Sequence, residues 1–140
     1  MFRLKISKAD RLFSLWIRHR DKYKCVRCGR QHNDDENTSD NSHYWQRSIR
    51  GTRFDPLNCD TLCKMPCHSG NKGWEHEKRI KDNLKNKYDG EYTEFKKNQL
   101  GERDFDLLLV RAHTPTKVDE KLMAIYWKER LKKDFGVKVK

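Results

Sequence analysis

The stretch HYWQRSIRGTRFDPLNCDTLCKMPCH, residues 43–68, decides how this chain is read. It begins at a histidine, runs through a segment dense in arginine, and closes on Cys59, Cys63 and Cys67. Upstream stands Cys25-Val26-Arg27-Cys28-Gly29, a CxxC turn followed by glycine, the pattern of a zinc knuckle in which backbone amides point at the sulfurs. Zinc takes four soft ligands in a tetrahedron, and two short-loop cysteine pairs supply them with little strain. Cys25 and Cys28 form one pair. For the other, the residues alone allow two CxxxC solutions, Cys59–Cys63 or Cys63–Cys67, with one cysteine left over as a small buried side chain.

The rest of the chain supports a metal staple. Its 140 residues suit one compact unit, yet only 34% are hydrophobic and 38% are charged. Ordering each backbone residue costs on the order of 1–2 kcal/mol, so a lean core gains from a bound ion. A formal charge of +11 favours polyanionic partners, with nucleic acid foremost. The longest strongly apolar run, Leu107 to Val110, falls far short of the ~20 residues of a spanning helix, so no membrane role is expected. The N-terminal MFRLKISKAD has no continuous apolar stretch. A cytoplasmic location follows, where thiols stay reduced and an odd cysteine count points to metal rather than disulfides.

Periodicity predicts an α+β chain. Leu12, Phe13, Trp16 and Ile17 share one face of a helix over 8–22, with Arg11, Arg18, Arg20 and Lys22 mostly elsewhere. Residues 31–42, including Asp34, Asp35 and Glu36, read as an exposed loop. Strand-like pieces fall at 43–45 and 52–54, and Asp55-Pro56 reads as a turn or helix start. A polar helix is predicted over 68–86, carrying Ile80 and Leu84, then short helices over 88–99 and 102–111. The last helix runs from about Lys117 to Phe135, capped by Thr116 with Asp119 three residues on. Its apolar stripe is Val118, Leu122, Ile125, Tyr126 and Leu131.

Between the cysteine pairs stand His43 and then Asn58, and His68 follows immediately after Cys67. Hydrolysis of a phosphodiester needs a water stripped of its proton, and a histidine with an ordinary pKa near ~6.5 accepts it at neutral pH. A cation then neutralises charge on the phosphate and leaving oxygen. The order His–Asn–His nested in CxxC…CxxxC resembles the HNH nucleases. More narrowly, His43-Tyr44, Arg47, Arg53-Phe54 and Asn58-Cys59, the later cysteines and Ser69-Gly70-Asn71 resemble the NinG (Rap) recombination endonucleases of phage. The helix Phe13-Ser14-Leu15-Trp16-Ile17-Arg18-His19-Arg20-Asp21 leading into CxxCG is similar too. The likeness covers roughly residues 8–75.

That resemblance implies a small ββα-metal (HNH, treble-clef-like) core with structural zinc on Cys25, Cys28, Cys63 and Cys67. An N-terminal helix and a helical C-terminal region flank it. The implied division is a nuclease core over 1–86 and a helical extension over 87–140, packed on the core or dimerising. It implies that His43 is the general base, Asn58 holds the hairpin, and His68 at the start of the next helix ligates a catalytic Mg2+ or Mn2+. Where HNH enzymes often carry Asp or His before the base, this chain has Ser42, and Asp40 takes the ligand's place. It has CxxxCH where CxxCN is usual, so the second ligand is His68 or Asn71, with His76 a more distant choice. Arg47, Arg50 and Arg53, lying between His43 and Asn58, are expected to face phosphates. The substrate implied is branched DNA, cut by a chain able to form a homodimer. A zinc-stapled nucleic-acid-binding module without catalysis, or a restriction-type or nonspecific HNH nuclease, are the alternatives. His19, His32 and His113 carry no signal.

Overall fold

A computed structural model of the chain describes residues 5–34, 37–77 and 90–140. Among them the fold is mixed α+β, with one two-stranded antiparallel sheet and three α-helices. The first helix, α1 (Lys8–Arg20), starts in a capping box: Ser7 Oγ accepts from the Asp10 amide, and the Ser7 amide donates to the Asp10 carboxylate. Leu12, Phe13, Trp16 and Ile17 are its buried face. It stops short of residue 22 because Lys22 and Tyr23 turn left-handed, at φ 55° and 56°. That turn delivers the chain into the cysteine knuckle, bracketed by a bridge between Lys24 and Gln31.

Strand β1 (Ser39–His43) pairs antiparallel with β2 (Cys59–Cys63), with Asp40 opposite Leu62 and His43 opposite Cys59. Here two expectations are corrected. The end of the supposed loop 31–42 is strand, because the buried β2 supplies a ladder that these polar residues do not announce. The supposed strand at 52–54 is a turn, closed by Asp55 N–H on the Thr52 carbonyl at 3.2 Å. Asp55 does start a short 3₁₀ turn, Pro56–Asn58, its Oδ1 accepting from the Leu57 amide.

Beyond β2 the expected helix over 68–86 does not form in its described part. Lys64–His68 make one irregular helical turn, and Trp74–His76 make a 3₁₀ turn. His68 therefore ends a turn instead of opening an α-helix. Asp35, Glu36, Ile80, Leu84 and Tyr88 lie outside the described residues. Helix α2 (Glu91–Ala112) contains both later short helices, broken at Gly101 with φ 80° and ψ 164°. Helix α3 (Glu120–Phe135) is capped by Asp119, whose Oδ1 accepts from the Leu122 amide at 3.0 Å. Thr116 is not the cap; its hydroxyl donates to the Thr114 carbonyl. The stripe is corrected in part: Leu131 is buried as expected and Trp127 joins it, while Leu122, Ile125 and Tyr126 are exposed.

Two apolar clusters hold the elements together. One joins Cys25, Tyr44, Leu62, Cys63 and Cys67 to Trp74 and to Tyr92, Phe105 and Leu108 of α2. The other packs α1 on α3 through Phe13, Trp16, Ile17, Trp127 and Leu131, with Cys59 among them. Trp16 also donates to Asp134 at 2.9 Å. Each cluster draws on residues from both 1–86 and 87–140, so the C-terminal helices share the hairpin's core. Among the described residues no helix is long and apolar enough to cross a membrane.

Candidate metal centre and adjoining cleft

The sulfurs of Cys25, Cys28, Cys63 and Cys67 lie within 4.8 Å of one another. A tetrahedron with Zn–S bonds of about 2.3 Å has edges of roughly 3.8 Å, so the set fits, and it can hold a metal ion such as zinc. The knuckle forms because Gly29 takes φ +79°, which lets the chain double back so that the Cys25 amide donates to the Arg30 carbonyl at 2.9 Å. The Cys28 amide then points at Cys25 Sγ, 3.5 Å away. A backbone hydrogen bond from Arg30 holds the Cys28 thiol down to about 7, whereas burial pushes Cys63 up to about 12 and raises Cys67 too. Cys28 is thus poised to ionise, whereas Cys63 and Cys67 need a cation to do so. Cys59 lies apart, fully buried in the α1–α3 cluster, and burial raises its thiol well above the ordinary value.

Asn58 organises the hairpin. Wholly buried, it accepts from the Trp45 amide at 2.8 Å and donates to the carbonyls of Trp45 and Thr52 at 2.9 and 3.1 Å. Its own carbonyl accepts from the Tyr44 amide. One side chain therefore satisfies buried backbone groups on both sides of the loop, and fixes the exit of β1 at His43. The His43 ring donates from Nε2 to the Arg53 carbonyl at 2.9 Å. A carbonyl only accepts, so Nε2 carries the proton and Nδ1 is left as the basic atom. Burial lowers the His43 pKa to about 4 against the pull of that hydrogen bond and of Asp10. The ring is neutral at physiological pH.

His43 lines a cleft of about 850 Å³ with Asp40 and His68. His68 Nδ1 is 2.9 Å from Asp40 Oδ2, and its Nε2 is 3.8 Å from Glu75 Oε2. Burial opposes ionisation of Asp40, but the His68 hydrogen bond and nearby cations outweigh it and hold the carboxyl below its ordinary range. One imidazole and two carboxylates suit a hard divalent cation whose remaining positions are water or phosphate oxygen. These donors are more open than the thiols. Among the described residues the four cysteines are the one set of three or more such ligand atoms drawn within 4.8 Å.

The structure separates the remaining candidates. Asn71 is exposed in a turn and does not line the cleft, nor does His76. Arg50 is exposed on another face, beside Phe54 and Leu122. Arg53 is buried, with two hydrogen bonds to Asp10, at 3.0 and 2.6 Å, and Glu120 2.6 Å from its Nη2. Arg47 lines the cleft but also pairs with Asp10, at 2.9 Å. Sequence reasoning missed His32, whose Nε2 lies 3.2 Å from Cys63 Sγ and whose Nδ1 lies 2.8 Å from Thr38 Oγ1. It missed Glu75 as well, although that residue's place seven beyond His68, past a Gly-rich turn, is compatible with a return to the site. The chain matches no family model, no curated protein and no solved structure.

Proposed function

We propose that this chain is a divalent-metal-dependent DNA endonuclease of the ββα-metal (HNH) type, stapled by a structural zinc on its four clustered cysteines. The observation that carries the reading is the sharing of one cleft by His43 and the Asp40–His68 pair, itself closed at 2.9 Å. A protein that only binds nucleic acid has no chemical need for a neutral, buried imidazole beside a carboxylate–imidazole pair. The adjoining thiol cluster adds support, since Cys67 immediately precedes His68 and a metal held there would fix the turn that presents it.

In the mechanism, His43 Nδ1 takes the proton from a water as the water's oxygen attacks phosphorus. The P–O bond to the 3′ oxygen breaks, and the leaving oxygen gains a proton from solvent. Asn58 acts at one remove, holding the loop whose Arg53 carbonyl orients the His43 ring. Asp40 and His68, with Glu75 at hand, would hold Mg2+ or Mn2+, which when bound neutralises charge on the phosphate and the leaving oxygen. The likeness to phage recombination nucleases makes branched DNA the substrate of choice. Two symmetric cuts on a junction would suit a homodimer.

The test is to incubate the protein with duplex, single-stranded, flapped and four-way-junction DNA plus Mg2+ or Mn2+, beside His43→Ala. Cleavage that needs the metal and disappears in a folded His43→Ala protein is the expected result. Binding without cleavage on every substrate and with both metals would leave a zinc-stapled binding module instead.

A further inference from the structure

Arginines that look alike in the sequence divide sharply in the fold. Arg53 and Arg47 both close on Asp10, and Arg53 also on Glu120. Arg20 donates to the carbonyls of Pro56 and Cys59 and pairs with Asp21. These guanidiniums hold the fold together. Two others on α1, Arg11 and Arg18, line the cleft, and neither is held by a hydrogen bond or ion pair among the described residues.

Their spacing is regular. Arg11, Ser14, Leu15 and Arg18 fall at i, i+3, i+4 and i+7, one stripe of α1, and all four line the cleft. The opposite face of the helix is buried against α3 and the hairpin. Seven residues of helix rise about 10 Å, and a duplex strand advances about 3.4 Å per nucleotide. A strand laid along α1 would therefore meet the two guanidiniums roughly three nucleotide steps apart. The position of Arg18 is the more telling, because it lines the same cleft as Asp40, His68 and His43. A guanidinium lining the cleft with the Asp40–His68 pair, and without an ion pair among the described residues, is placed to donate to the non-bridging oxygens of a phosphate.

We infer that α1 is the phosphate-binding wall of the cleft, with Arg18 gripping the phosphate at the Asp40–His68–His43 site and Arg11 one about three nucleotides along the strand. The ligand is the phosphodiester backbone of a DNA strand. The assignment replaces Arg50 and Arg53 as phosphate contacts and rests on the nuclease reading for the chemistry, though not for the binding.

The experiment compares wild type with Arg11→Ala, Arg18→Ala, Arg18→Lys and Arg50→Ala. Binding of a labelled duplex and of its single strand is measured against salt, alongside single-turnover cleavage with Mg2+. Both side chains on α1 lie away from the buried face, so thermal melting should match wild type. Each α1 alanine variant is expected to weaken binding by about tenfold and to lower the slope of log K against log salt by about one. Arg18→Ala should also slow cleavage at saturating DNA, with Arg18→Lys recovering part of it, and Arg50→Ala should behave as wild type. Cleavage and salt slope unchanged in both α1 variants would overturn the inference while leaving the nuclease reading intact. Loss of binding in those variants, in a protein that cuts nothing, would uphold the phosphate wall and remove the nuclease.

Discussion

The Arg53 guanidinium closes on the Asp10 carboxylate with two hydrogen bonds, and both side chains are almost fully buried. Asp10 is also the third residue of α1, where it completes the capping box with Ser7, and Arg47 reaches it as well. One carboxylate thus ties the start of α1 to two points of the loop between the strands. Because the Arg53 carbonyl orients His43, this ion pair supports the candidate base from behind.

Asp10→Ala is expected to destabilise the protein by about 3 kcal/mol, since it leaves the buried Arg53 guanidinium with Glu120 alone and removes the carboxylate half of the capping box. Denaturant unfolding measures this. Burial raises the Asp10 pKa, but the bonds from Arg53 and Ser7 outweigh it, and the folded value lies below the ordinary 3.8. The folded state therefore binds its proton less readily than the unfolded chain. Its stabilisation is complete above pH 3.8 and fades as pH falls through the lower folded value. In Asp10→Asn that acid-side loss should be smaller; an identical acid limb in the two proteins would dissociate Asp10 from it.

The cysteines give a second test. Cys63→Ser should abolish stoichiometric zinc and unfold the hairpin, because the three remaining thiols lose a ligand in a chain with a lean core. Cys59→Ala should keep one zinc per chain and cost only about 1 kcal/mol for the small cavity it leaves. Metal analysis and thermal melting of the two variants separate the roles. Equal zinc loss in both would mean that Cys59 belongs to the cluster after all.

His43 should titrate near pH 4 in the folded protein, visible as a ring proton shift by NMR. The sign of its effect on stability follows. A folded pKa below the ordinary 6.5 means that the unfolded chain takes up the proton first. Stability contributed by the neutral ring is whole above pH 6.5 and erodes as pH falls toward about 4, by roughly 3 kcal/mol at most. Cleavage governed by this base should hold across pH 6–7 and fail only near pH 4–5, and an acid limb centred at 6.5 would point to a different base.

How much of this was readable beforehand depends on where the determining partner lies. Helix α1 was legible because Leu12, Phe13, Trp16 and Ile17 carry their own periodicity. The thiol cluster was legible because cysteine chemistry leaves few alternatives, although only the fold separates Cys59 from Cys63 and Cys67. Strand β1 was not, since Ser39-Asp40-Asn41-Ser42 has no alternation and owes its conformation to a partner strand beyond a long loop. Arg53 looked like any cation, because nothing local reveals that Asp10 meets it from 43 residues away. The same holds for Lys96 and Asp60, which the fold buries completely as a pair at 2.8 Å. On α3, the expected face held Leu131 but also Leu122, Ile125 and Tyr126, which are exposed; Trp127 takes their place by fitting against Phe13 and Trp16.

The turn after β2 offers the sharpest separation between folding and chemistry. A Cβ on Gly73 would fall onto the His68 carbonyl and its carbon, with the Gly70 amide behind them. All three are backbone atoms, so no side chain can swing aside, and the segment carrying His68 must shift. Overpacking of this kind costs about 1–3 kcal/mol. A displacement of even 1 Å at a reacting site lowers rates on the order of a hundredfold. Gly73→Ala should therefore lose much more activity than stability, and its zinc content should stay at one because none of the atoms that the Cβ meets belongs to a cysteine. Gly136→Ala is the control: its Cβ meets nothing within 4 Å, but its φ of +68° strains any L side chain, so it costs about 1 kcal/mol with cleavage unaltered. Comparing unfolding midpoints with metal-dependent cleavage in the two variants isolates the contribution of His68's position. If both lose activity only in proportion to stability, the turn is a spacer and His68 is not held for chemistry.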